Sequence, residues 1–131
     1  RSAAATAAGY KEEVMGRYEE FIRFRQEMNK KILEEGTLEI KRFFGLDEQT
    51  YKAGALDEKT KELLGLVASM VLRCDDCISY HILQALSRGA TRQELYETFT
   101  IALVVGGSIV IPHLRRAVAF LEEAMASSQP E

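Results

Sequence analysis

Several things are scarce in this chain, and each scarcity removes a class of protein. The 131 residues hold two prolines, no tryptophan, two histidines and only two cysteines. Two cysteines cannot build the multi-bridge framework of a small secreted domain. In a chain without a secretory leader, a close pair reads as catalytic or metal-binding before it reads as a staple. The opening Arg1-Ser2-Ala3-Ala4-Ala5-Thr6-Ala7-Ala8-Gly9 lacks the strongly apolar centre of such a leader. There is no run of basic residues, and a net charge of -3 gives no electrostatic reason to expect nucleic acid or a membrane surface. The longest nearly apolar run, Ile101 to Ile111, is too short to span a bilayer and is broken by Gly106-Gly107. These absences lead to the expectation of a cytoplasmic protein with neither nucleic acid nor membrane among its partners.

The two-residue alternation of half-buried strands is also absent, which points to an all-α fold. With 47% hydrophobic and 28% charged residues the chain can bury a core, and its length suits one compact domain. The expectation is a single domain over residues 1–131, with flexible ends at 1–9 and 127–131.

Helical periodicity begins near Lys11 and runs to about Glu35. Val14, Tyr18, Phe21, Met28 and Ile32 form its stripe, and Gly36 follows as a stop. A shorter helix, Leu38 to Phe44, is expected to end at Gly45, leaving Leu46 to Ala55 as a linker with at most one helical turn. Asp57 then caps a helix whose first turn is acidic. Leu63, Leu64, Leu66, Val67, Met70, Val71 and Leu72 cover more than one face of it, so it reads as a core helix buried on most sides. Ile78, Ile82, Leu83 and Leu86 mark another helix, ending at Ser87-Arg88-Gly89. Thr91 and Glu94 match a capping box that starts the next, with Leu95, Phe99, Ala102 and Leu103 on its stripe. Pro112 suits the first turn of a last helix carrying Leu114, Val118, Leu121 and Met125.

The chemistry concentrates in Arg73-Cys74-Asp75-Asp76-Cys77-Ile78-Ser79-Tyr80-His81. On a helix, residues three or four apart share a face, with Cβ atoms roughly 5–6 Å apart. Cys74 therefore faces Cys77, and His81 lies one turn beyond it. Disulfide geometry favours a Cβ separation of ~3.8 Å, so a bond between the two thiols is one that forms and breaks. A helix beginning near Cys74 offers its N–H groups and dipole to a thiolate, while His81 can accept a thiol proton. Glu62 precedes Cys74 by twelve residues, about 18 Å along a straight helix. If the chain turns back between Leu72 and Cys74, Glu62 approaches His81 instead and orients its ring.

Glu62, Cys74, Cys77 and His81 together fit Glu-x11-Cys-x2-Cys-x3-His. In this pattern, and in Gly54-Ala55-Leu56-Asp57, Gly89-Ala90-Thr91 and Gly106-Gly107, the chain resembles the alkylhydroperoxidase AhpD-like branch of the carboxymuconolactone decarboxylase family, over roughly Ala53 to Glu123. The resemblance implies an all-helical homo-oligomer, a trimer or hexamer, with peroxidase or disulfide reductase activity. It implies that Cys77 takes the oxygen of a hydroperoxide, that Cys74 resolves the sulfenic acid to a Cys74–Cys77 disulfide, and that His81 and Glu62 relay the proton. No flavin, haem or metal is implied, whereas an external dithiol reductant, a lipoyl- or thioredoxin-like protein, is. The chain departs from some peroxidase members in carrying Asp76 where they carry a relay histidine. Two carboxylates beside the thiols, Asp75 and Asp76, raise their pKa, and Arg73 offsets this in part.

Plainer readings stand beside these. The cysteines could be two small buried residues, Glu62 a first-turn glutamate on a helix dipole, His113 a surface or interface histidine and Tyr80 a packing residue. Phe43-Phe44 and Ile101 to Val105 read as core or subunit interface. Zinc would need a second ligand pair. Two functional alternatives are a decarboxylase or lactone-processing member of the same family, and a non-catalytic helical assembly module with redox-sensing thiols.

Overall fold

Residues 15–127 are described in a computed structural model of the chain. The described residues form six α-helices: α1 (Arg17–Glu35), α2 (Leu38–Thr50), α3 (Glu58–Val71), α4 (Asp75–Ser87), α5 (Arg92–Gly106) and α6 (Ile111–Ser127), with a 3-10 turn at Ser108–Val110. No strand occurs among them. The all-α expectation is met.

The core is built by α3 to α6. Leu66 and Met70 of α3, Ile78 and Ile82 of α4, Leu95 and Phe99 of α5 and Phe120 and Leu121 of α6 are buried together. α3 and α4 form the hairpin at its centre, flanked by α5 on one side and α6 on the other. The caps read from the sequence are present: Asp57 accepts from the Thr60 N–H at 2.7 Å, and Thr91 and Glu94 close a reciprocal capping box. α1 buries no residue completely. It leans on α6 through Tyr18 and Phe21, whose rings meet Phe120 edge-on.

Four expectations about the elements change. Met15 and Gly16 precede the first helix, which begins at Arg17, while Lys11 to Val14 lie outside the described residues. α2 does not stop at Gly45. It runs on to Thr50, so the first half of the expected linker is helix. A mid-helix glycine costs about 1 kcal/mol against alanine but does not end a helix whose amides remain paired. The true end is held by Lys61, whose Nζ donates to the Thr50 and Lys52 carbonyls at 2.8 and 2.7 Å. Third, α3 is buried on one side only, by Glu62, Leu66, Ser69 and Met70, while Leu64 stays exposed. Last, Ser127 belongs to α6 rather than to a flexible end, and 128–131 lie outside the described residues.

Of the runs read as core or interface, Phe43, Ile101, Val104 and Val105 are exposed on the single chain, and Ala102 is buried. No helix among the described residues is long and apolar enough to cross a membrane.

Candidate active site

The site begins where α3 ends. Arg73 N–H donates to the Met70 carbonyl and Cys74 N–H to the Ser69 carbonyl, both at 3.0 Å. This is a Schellman closure with its left-handed residue at Arg73, φ 62. It reverses the chain within three residues and sends α4 back along α3. The same closure ends α4, but there Gly89 takes the left-handed position at φ 87.

Cys74 follows the turn in an extended conformation and serves as the N-cap of α4, its sulfur accepting from the Cys77 N–H at 3.3 Å. A disulfide joins Cys74 to Cys77, with Cα atoms 5.3 Å apart. Cys74 stands before the helix, so the bond is made at a helix start and not inside a continuous one. Cys74 is half-buried and Cys77 exposed.

His81 lies one turn beyond Cys77 and is buried, with 8% of its surface exposed. The hairpin places it opposite Glu62, itself only 1% exposed, and His81 Nδ1 comes within 2.8 Å of Glu62 Oε1. An ionised carboxylate only accepts, so Nδ1 carries the proton in this bond and Nε2 is left as the basic nitrogen. Arg88, the C-cap of α4, brings its Nε to 3.2 Å from Glu58 and 3.9 Å from Glu62. The buried carboxylate thus has an imidazole on one oxygen and a guanidinium near the other, which is what keeps a charge tolerable at such depth.

Three residues that sequence reasoning passed over or read as packing shape the space around His81. A Cβ built on Gly65 of α3 would lie 2.6 Å from His81 Cε1, 2.8 Å from Nε2 and 2.9 Å from Nδ1. The imidazole therefore occupies the place of a side chain at Gly65. The Tyr51 and Tyr80 rings approach His81 with centroids 5.3 and 5.1 Å away. Arg25 sits over the Tyr80 ring at 4.1 Å. Burial, reinforced by the negative charge of Glu62, pushes both phenols above the ordinary tyrosine pKa. A glycine inside a strongly apolar helix was the available signal for Gly65. Nothing local marks Tyr51.

On the other side of the disulfide, Asp75 accepts from His113 Nδ1 of α6 at 2.8 Å and lies 3.5 Å from Arg116. His113, read as a surface or interface residue, is thus half-buried beside the first turn of α4. The carboxylate expected to burden the thiols carries its own cationic partner. Cys77, Tyr80 and His81 open onto a cleft of about 720 Å³ that is also lined by Phe21, Phe24, Met28 and Phe43. Among the described residues, no group of three or more His, Cys, Asp or Glu is placed to hold a metal ion.

The family model for the carboxymuconolactone decarboxylase family matches residues 39–123, and the chain belongs to that family. It is 31% identical over 81 residues to uncharacterized protein 4 in the cox locus of Paracoccus denitrificans, covering 62% of this chain and 73% of the relative. An uncharacterized protein of Cupriavidus necator is 31% identical over 80 residues, covering 61% of this chain and 71% of the relative. A crystal structure of a Thermotoga maritima protein, 60% identical, superposes with a TM-score of 0.81 over 84% of this chain and 96% of that one. A second structure of that protein, also 60% identical, has a TM-score of 0.77 over 82% of this chain and 91% of that one. It is described as a family member "possibly involved in antioxidative response". The apo form of a Legionella pneumophila family member, 30% identical, gives a TM-score of 0.73 over 86% of this chain and 98% of that one. α1 precedes the matched segment.

Proposed function

We propose that this protein is a thiol-dependent peroxidase or disulfide reductase working through Cys74 and Cys77, with His81 and Glu62 as the proton relay. The observation that supports the reading is the hydrogen bond between His81 and the buried Glu62, one helical turn beyond an exposed cysteine that is disulfide-bonded three residues away. The antioxidative description of the Thermotoga maritima protein points the same way.

In the reduced enzyme His81 takes the Cys77 proton and holds it as an imidazolium against Glu62. The Cys77 thiolate attacks a hydroperoxide oxygen. An S–O bond forms, the O–O bond breaks, and the departing alkoxide leaves as an alcohol with the proton held at His81. The sulfur is oxidised by two electrons to the sulfenic acid. The Cys74 sulfur then attacks Cys77, the S–O bond breaks, and water leaves as the disulfide closes. An external dithiol, lipoyl- or thioredoxin-like, returns two electrons and two protons and is itself oxidised. Cys77 is assigned the peroxide because it is the exposed sulfur and the one in histidine register. A disulfide substrate would meet the same sulfur. Exposed Leu72, Val104 and Val105 support assembly of the chain as a homotrimer or homohexamer.

The test is peroxide consumption with a dithiol donor by the wild type, Cys77→Ser and Cys74→Ser. Turnover is lost in both variants, and sulfenic acid is trapped on Cys77 in Cys74→Ser. Unchanged turnover in both overturns the redox assignment, and sulfenic acid found on Cys74 in Cys77→Ser but never on Cys77 reverses the roles.

A further inference from the structure

Relays through a histidine fail when the ring can turn, and here the ring is held by more than its carboxylate. We infer that Gly65 and Tyr51 are positioning residues for His81, forming with Glu62 a slot that admits the imidazole in one orientation. This rests on the proposed role of His81 in proton transfer.

Gly65 stands on α3, three residues after Glu62, so the two share a helix face. That face supplies an acceptor for Nδ1 at Glu62 and, one turn on, an empty space at Gly65 into which the ring settles. Any side chain at Gly65 would meet Cε1 and both ring nitrogens closer than van der Waals contact allows. The neighbour that would have to give is a buried ring, not the loose end of a flexible chain. Gly65 also forgoes the helix propensity that alanine would supply in the middle of a core helix.

Tyr51 comes from a different part of the chain. It is the C-cap of α2, placed by the loop that Lys61 holds through the Thr50 and Lys52 carbonyls. Its ring lies 5.3 Å from that of His81, while Tyr80 of α4 lies 5.1 Å away. Two aromatic rings beside an imidazole restrict its rotation. Among the described residues, the charged or titratable groups around His81 are Glu62 of α3, Cys77 of α4, Arg88 at the C-cap of α4, and the two tyrosines. Asp47 of α2 acts on both phenols and Arg25 of α1 on Tyr80.

The experiment compares Gly65→Ala, Tyr51→Leu and Tyr51→Phe in the full chain. Its readouts are peroxide turnover with a dithiol donor, the pH dependence of Cys77 alkylation in the reduced protein, and the nitrogen NMR signals of His81. Gly65→Ala and Tyr51→Leu each lower kcat by about tenfold or more with the peroxide KM unchanged. Both also move the pH profile of alkylation and the His81 nitrogen signals. Tyr51→Phe, which restores the ring without the hydroxyl, recovers turnover and the pH profile. A folded Gly65→Ala or Tyr51→Leu protein with wild-type kcat, alkylation profile and His81 signals overturns the inference. Should Gly65→Ala fail to fold, Tyr51→Leu decides alone, because its side chain is half-exposed at a helix end. Wild-type protein that consumes no peroxide while both variants still shift the His81 signals refutes the peroxidase reading and leaves the slot standing.

Discussion

Two histidine–carboxylate pairs flank the disulfide, one on either side, and each closes at 2.8 Å. His81 and Glu62 keep 10% and 1% of their side-chain surface in contact with solvent, whereas His113 and Asp75 keep 18% and 45%. Equal distances therefore hide unequal consequences. In the buried pair a lost partner leaves the other group stranded in a poor dielectric, while in the outer pair water replaces whatever is removed. The inner pair sits one turn past Cys77, where the proposed relay needs a proton acceptor. The outer pair holds the residue next to Cys74, where a charge must be muted. Proximity to the thiols alone does not tell the two apart; burial does.

The largest way to break this contrast is at the inner pair. His81→Asn should lower peroxide turnover by roughly 10²–10⁴-fold, the range of a lost general base, measured as kcat with a dithiol donor. Glu62→Ala should in addition cost about 3 kcal/mol in a denaturant titration, because it leaves His81 and Arg88 facing a vacated buried site. Asp75→Asn is the matching cut at the outer pair, and its denaturant midpoint should move by less than about 1 kcal/mol. Its effect on chemistry has a definite sign. Removing the carboxylate while His113 and Arg116 remain favours thiolate, so iodoacetamide should alkylate the reduced protein roughly threefold faster at neutral pH, a surface-pair magnitude. His113→Gln should slow it.

Salt sharpens the same comparison. At an ionic strength of about 1 M the screening length falls to ~3 Å, so the Asp75→Asn and His113→Gln differences in alkylation rate should fade. The His81→Asn and Glu62→Ala effects should persist. The smallest effect belongs to alkaline pH and to the inner pair alone, because only it has Tyr51 and Tyr80 beside it. Both phenols titrate above their ordinary value, chiefly through burial. The stability this reflects is whole below the unfolded tyrosine pKa of about 10 and is lost as pH rises through the higher folded values. Denaturant midpoints followed across that window should fall in the wild type and fall less in Tyr51→Phe.

The two pairs were also unequally readable from sequence. Cys74, Cys77 and His81 are bound by helical spacing, which survives any tertiary arrangement, so their grouping follows from residue numbers alone. Glu62 was reachable only by supposing a reversal near Cys74, and nothing in the residues there announced one. The left-handed position that would ordinarily carry glycine, as it does at Gly89, carries Arg73. Tyr51 and His113 were not readable, because each reaches the site from another helix through a packing register that local patterning does not encode. Helix α2 was misjudged at Gly45 because propensity sees the glycine and not Lys61, which holds the far end. Apolar residues on the outer side of α3 looked like core, and those of α5 like core or subunit interface, because periodicity counts hydrophobic positions without knowing what covers them.

The disulfide encloses a single helical turn, and this has a consequence for what the chain loses when the bond is reduced. Crosslinks restrain an unfolded chain by an amount that grows with the logarithm of the loop they close, and few loops are shorter than one from residue 74 to residue 77. The bonds that shape this turn, Cys74 N–H on Ser69 and Ile78 N–H on Cys74, are backbone bonds that do not depend on the state of the sulfurs. Reduction therefore returns little entropy to the unfolded chain and dismantles no backbone hydrogen-bond ladder. The oxidised and reduced forms should melt within a few degrees of each other, so the bond can open and close many times without the chain having to refold.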